Sequence, residues 1–232
     1  IGVRLVGSEM CIRDSSEDRF VIMATANGTV KKTSLEQYSR PRSVGLRAVD
    51  LVDGDYLVGS AITDGSCDVM LFSSEGKAVR FAESDVRAMG RVSKGVRGMR
   101  LPEGHKVLSM VIPEEDGRVL TVSNNGYGKR TALTEFPTKG RGGKGMIAMQ
   151  ASERNGPLVG AVQLFEGDEI MLISDQGTMV RTRGEEISVL GRNTQGVRVI
   201  RLKEGETMVG LARIEEQEQQ EPLEGEAPTG ES

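Results

Sequence analysis

A chain of 232 residues with 37% hydrophobic side chains can fill one core of ordinary domain size, but aromatics at 3% and no Trp leave that core to Val, Ile, Leu and Met. No run approaches the roughly 20 apolar residues of a membrane helix; two cysteines are too few for a disulfide framework, and no Cys/His spacing suggests zinc. The formal net charge of −4 hides a basic body: residues 215–232 carry seven Glu and no Lys or Arg, leaving 30 basic against 27 acidic residues elsewhere, or about +3.

Residues 1–18, with Cys11, stand outside the pattern that follows. They resemble a translated sequencing adapter and are set aside from functional reasoning. They hold no continuous apolar run of the signal-peptide kind, and a reducing cytoplasm is the simplest setting.

From residue 19 the chain repeats. Apolar segments at 20–24, 69–72, 119–122 and 170–173 run into turns at Asn27-Gly28, Glu75-Gly76, Asn125-Gly126 and Gln176-Gly177, and each turn runs into a short basic segment. Strand, Asn-Gly-type turn and strand make a hairpin. Connectors follow at 35–38, 84–87, 133–136 and 185–188. Tyr38 and Phe136 match in position there, and they fit a plug between repeats better than a stacking platform for bases. Next come Gly45, Gly95, Gly145 and Gly196, about fifty residues apart, each closing a polar loop. The third of these loops, Lys139-Gly140-Arg141-Gly142-Gly143-Lys144-Gly145, sets three cations among four glycines. Glycine admits φ > 0, so such a backbone can curl into a concave row of N–H donors that suits phosphate.

Alternating segments at 46–51, 96–101, 146–151 and 197–202 then lead through Asp53-Gly54, Glu103-Gly104, Asn155-Gly156 and Glu204-Gly205 into 57–62, 107–112, 158–164 and 208–214, which reads as a second hairpin. Four repeats of about four strands predict an all-β, propeller-like domain over 19–214, with blades near 19–64, 65–114, 115–165 and 166–214. One blade cannot bury both its faces, so neighbours must stack. The 3.6-residue apolar period is hardly visible, which predicts little helix. The tail, 215–232, has the Glu-, Gln- and Pro-rich composition of a disordered acidic segment, which reads either as a solubilising end or as a competitor for a basic surface.

No catalytic constellation emerges. His105, the single histidine, has no Ser or Cys nucleophile at a recognisable motif spacing, and no P-loop, Rossmann or zincin pattern is present. Asp53-Gly54-Asp55 is turn chemistry without a calcium-binding loop. The positive finding is a recurring set of cations. In the hairpins it comprises Lys31, Lys32, Lys77, Arg80, Lys129, Arg130, Arg181 and Arg183; around the glycine loops, Arg40, Arg42, Arg91, Lys94, Lys139, Arg141, Lys144 and Arg192, with Arg47, Arg97, Arg100, Arg198 and Arg201 just after them. Equivalent charges on blades set around an axis make a basic rim on which duplex DNA can bend without base-specific contacts.

Ala24 to Thr33, Val86-Arg-Ala-Met-Gly90, Asn125-Gly-Tyr-Gly-Lys-Arg-Thr131 and Gly191 to Val197 resemble the C-terminal domain of the A subunit of bacterial DNA gyrase, over about residues 19–214. The resemblance implies a β-pinwheel, a propeller-like disc whose rim wraps DNA. It also implies a type II topoisomerase holoenzyme with gyrase B and a second copy of gyrase A, in which ATP and Mg are bound elsewhere and supercoils are introduced. The family domain normally has six blades, and this chain corresponds to the last four. The family's Gln-Arg-Arg-Gly-Gly-Lys-Gly box belongs to the first blade; Arg141 and Gly142 to Gly145 resemble it in a later one, which carries phosphate contact over to Arg141 and Lys144. The catalytic tyrosine of that family has no counterpart here, and no cofactor or metal site is implied. The equivalent domain of topoisomerase IV and a protein-interaction propeller are the alternatives.

Overall fold

The computed structural model describes residues 19–40 and 43–215. The leader 1–18, Arg42 and the tail from residue 216 onward lie outside the described residues. Fifteen strands are found among the described residues: β1 Phe20–Thr25, β2 Thr29–Ser34, β3 Leu57–Thr63, β4 Asp68–Ser73, β5 Lys77–Ala82, β6 Val96–Arg97, β7 Val107–Val111, β8 Arg118–Ser123, β9 Tyr127–Ala132, β10 Met146–Ile147, β11 Leu158–Leu164, β12 Glu169–Ser174, β13 Met179–Arg183, β14 Val197–Arg198 and β15 Met208–Ile214. The only helical pieces among the described residues are four single 3-10 turns at the predicted connectors. No helix there is long and apolar enough to cross a membrane.

The strands form four antiparallel sheets, ordered β3-β1-β2-β6, β10-β5-β4-β7, β11-β8-β9-β14 and β13-β12-β15. The all-β, bladed reading therefore holds, but one expected hairpin does not. The segment after each glycine loop is not paired with the strand that follows it. In the last three repeats its first two residues cross to the preceding blade: Val30 pairs with Val96, Ala78 with Met146, and Gly128 with Val197. The rest of 96–101, 146–151 and 197–202 is not strand, and 46–51 contains none. Local alternation could not reveal this, because a two-residue edge strand takes its partner from tertiary contact.

The exchange is fixed at the hairpin glycines. Gly76 has φ +79°, and its carbonyl accepts hydrogen bonds from Ala148 N at 2.8 Å and Met149 N at 3.0 Å. A Cβ there would stand 2.4 Å from Met149 O, so the crossing strand docks against bare backbone. Gly28 and Gly126 repeat the arrangement with residues 98–99 and 199–200. Gly177, on the blade with three strands among the described residues, would meet nothing within 4 Å. At the loop end, Gly95 has φ +92°, and a Cβ would lie 2.6 Å from Val30 O. Gly95→Ala is expected to cost about 1–3 kcal/mol in backbone strain and to undo the β2–β6 pairing, seen as a lowered thermal midpoint.

The core sits between blades rather than within them. Ile22, Ala24 and Val30 pack with Val69, Leu71 and Phe81; Met70 and Phe72 pack with Val119, Phe136 and Leu158; Leu120 and Val122 pack with Ile170, Leu172 and Ile200. Central strands β1, β4 and β8 are accordingly buried on both faces; β1 and β4 read as near-continuous apolar runs, and β8 does so apart from the buried Thr121. Strand β12 alternates instead. Phe136 is fully buried and meets Phe72 edge-on, as the plug reading requires, whereas Tyr38 is only half-buried.

Candidate nucleic-acid interface

The cations divide by where they stand. Those of the hairpins are largely consumed inside the fold. Lys31 and Lys129 are 1% and 0% exposed. The Lys129 ammonium donates to Gly191 O at 2.6 Å, Arg192 O at 2.5 Å and Thr194 Oγ1 at 3.1 Å; that of Lys31 donates to Ala48 O at 2.7 Å and to Arg91 O. The next position holds the following blade's 3-10 turn: Lys32 donates to Glu83 O at 3.3 Å, Arg80 to Phe136 O at 3.1 Å, and Arg130 to Ile187 O at 2.8 Å and Glu185 O at 3.0 Å. Ion pairs neutralise Lys32 with Glu83, Lys77 with Glu75, Arg80 with Asp68 and Arg181 with Glu169. Lys31, Lys32, Lys129 and Arg130 are thus buried staples rather than charges offered to a phosphate, a correction to the surface reading of the dibasic segments. Of the hairpin set, Arg183 is exposed and forms no ion pair among the described residues, but it lies beside Asp168, Glu169 and Glu185.

The glycine-loop cations are different. Arg40, Lys94, Lys139, Arg141 and Lys144 are exposed, and Arg91 and Arg192 are half-buried. None of these seven forms an ion pair among the described residues. The third loop is built by its own backbone: Lys139 N donates to Arg80 O at 2.7 Å and Gly142 N to Gly98 O at 2.6 Å, while Gly143 O accepts from Arg100 N at 2.8 Å. Arg141 spans it, with Nε on Asp85 O at 2.9 Å and Nη1 on Arg97 O at 3.0 Å. Lys139, Arg141, Lys144, Arg97 and Arg100 are brought together there, all exposed. Arg192 copies the Arg141 contact one repeat later, with Nη1 on Ile147 O at 2.7 Å.

Arg154 escaped the sequence reading. It stacks 4.9 Å from the Tyr127 ring centroid, Arg198 lies 5.4 Å from the same ring, and both guanidinium groups donate to Oη. The two hold the Tyr127 hydroxyl below its usual range. The only sequence signal was that Arg154 precedes the turn Asn155-Gly156.

Other constellations are structural. Ser74 Oγ lies 3.1 Å from His105 Nδ1, but it already accepts from Lys106 N, and no carboxylate bonds His105 among the described residues. Asp64, Cys67 and Glu83 place donor atoms within 4.8 Å of one another. There Asp64 Oδ1 is taken by Ser66 and Cys67, burial pushes the Cys67 thiol up, and Lys32 sits on Glu83.

Burial lowers the Lys129 ammonium to about 8, with Glu135 opposing and Arg192 reinforcing the shift. The unfolded chain, near the ordinary 10.5, then binds more protons than the folded one between about 8 and 10.5. Stability is expected to rise with pH across that window, and the rise should be absent in Lys129→Met; thermal unfolding at stepped pH checks both.

The model of the DNA gyrase C-terminal domain, beta-propeller, matches residues 19–64, 68–114, 117–164 and 168–215. The A subunit of DNA gyrase from Pseudomonas aeruginosa is 58% identical over 197 residues, covering 85% of this chain and 21% of that protein. Its Escherichia coli counterpart is 56% identical over 203 residues, covering 88% of this chain and 23% of that one. The chain thus spans less than a quarter of either relative's length. Among solved structures, the C-terminal domain of DNA topoisomerase IV superposes with a TM-score of 0.82 at 27% identity, covering 88% of this chain and 64% of that one. The DNA gyrase A C-terminal domain gives a TM-score of 0.75 at 27% identity, covering 86% and 67%. With a family model matched blade after blade, on sheets that pair as pinwheel blades do, the chain belongs to the DNA gyrase C-terminal domain family.

Proposed function

We propose that this chain binds and wraps duplex DNA as part of DNA gyrase A, within an ATP-dependent type II topoisomerase that introduces negative supercoils. The observation that carries the reading is the unneutralised cation set of the glycine loops, above all Lys139, Arg141 and Lys144, held on a backbone fixed by strand exchange. Such contacts give affinity without sequence preference. The bend costs on the order of 1–6 kcal/mol for a short site, which several phosphate contacts can offset. Gyrase B, a second copy of gyrase A, ATP and Mg belong to the parts of the holoenzyme outside this chain, and a cytoplasmic, chromosome-associated setting follows from the reading. This domain itself contributes binding and bending rather than strand cleavage.

The topoisomerase IV reading is favoured by the higher TM-score of that domain. Identities of 56–58% to gyrase A proteins over at least 85% of the chain weigh more. The test uses relaxed circular DNA, the purified chain and a nicking-closing topoisomerase at two salt concentrations. A salt-sensitive shift to positive linking number is expected. Absence of any DNA binding by the folded chain at low salt would return the protein-interaction reading.

A further inference from the structure

Loops of the same repeat position are held in two different ways. Residues Lys31, Val79 and Lys129 are equivalent, each paired with the third residue back from its turn: Met23, Leu71 and Thr121. Where the residue is lysine, a buried ammonium is driven onto carbonyls of the following glycine loop. Where it is Val79, buried in the core, the loop has no such anchor, and that is the loop with four glycines and three exposed cations. Lys129 presents three N–H groups to three acceptors on the loop that carries Arg192, and Thr194 Oγ1 in turn donates to Gly191 O at 2.8 Å. The Arg192 backbone N–H is held from the other side by Glu135 Oε2 at 2.7 Å. The loop is therefore clamped at the backbone of Arg192, whose half-buried side chain reaches Ile147 O.

We propose that Lys129, and Lys31 two blades earlier, are positioning residues that set the pose of the DNA-facing loops carrying Arg192 and Arg91, whereas the loop above Val79 is held by its own backbone and by Arg141 instead. The inference rests on the DNA-wrapping reading. A buried ammonium is a poor choice for stability, since an apolar side chain of similar length in such a site is often neutral or better. The lowered proton affinity of Lys129 is consistent with that cost. What the charge supplies is direction: three donors fix three loop acceptors at once.

The test is duplex binding by the full chain across a salt series, for wild type, Lys129→Met and Lys144→Glu. Methionine keeps the stem and removes the donors. A fraction of unfolded chain scales affinity equally at every salt concentration and leaves the slope of log K against log salt unchanged, so slope separates pose from stability. Lys129→Met is expected to keep its thermal midpoint at pH 7 and to flatten the slope by about 1, one phosphate contact. A flattening with Lys144→Glu but none with Lys129→Met overturns the positioning role. If neither variant changes the slope, the DNA-wrapping reading itself fails. If Lys129→Met does not fold, Thr194→Val takes its place. That variant removes one acceptor of the ammonium and leaves the core intact; a flattened slope supports the proposal, and an unchanged one overturns it.

Discussion

Lys139→Glu combined with Lys144→Glu is expected to weaken duplex binding on the order of 10- to 100-fold near 0.1 M salt and to flatten the salt slope by about 2. Both side chains are exposed, and neither ammonium makes a hydrogen bond or ion pair among the described residues, so the reversal leaves the fold intact. The loss should be the same on any duplex sequence, because phosphates rather than bases are being contacted. A sequence-selective loss would count against a backbone-tracking rim. Arg141→Glu is a less clean choice: its guanidinium also ties the loop to Asp85 O and Arg97 O. It should add a drop in melting temperature to the drop in affinity, and thermal unfolding beside the binding series separates the two.

Phe136→Ala is expected to lower stability by about 3–5 kcal/mol, enough to move the thermal midpoint down by roughly 6–20 °C for a domain of this size. Phe136 is fully buried, sits with its ring centroid 6.2 Å from that of Phe72 at an interplanar angle of 75°, and joins residues from two blades in one cluster. Its removal opens a cavity that β4 and β8 cannot close, since both are held in register on either side. Against a total stability of about 5–15 kcal/mol that is a large fraction. Circular dichroism melting checks it. The folded fraction of the variant should keep the wild-type salt slope, because no rim cation is touched. A loss below about 1 kcal/mol would mean that the blades do not share a core through this ring.

The hairpins β1–β2, β4–β5, β8–β9 and β12–β13 were legible because their information is local. An apolar run, a turn glycine and a basic run occupy fewer than twenty residues, and the pattern repeats four times. The plug role of Phe136 was legible from its place in the repeat. The cation set was legible as a set but not by role. Lys129 and Lys144 look alike in sequence, yet one is 0% exposed and the other lies on the surface. A strand position does not state which face its neighbour covers, and here the neighbour is a loop from the following repeat, 62 to 65 residues away.

By itself the sequence determined the number of repeats, the all-β class, the first hairpin of each repeat and the spacing of the glycine loops, since each follows from short-range sterics and turn chemistry. Only the tertiary structure decided that the segments after the last three loops cross to the preceding blade. It alone sorted the cations into buried staples and exposed contacts. Those outcomes depend on which backbone carbonyls and apolar faces meet across repeats, and a buried ammonium finds its acceptors only once the next blade has packed.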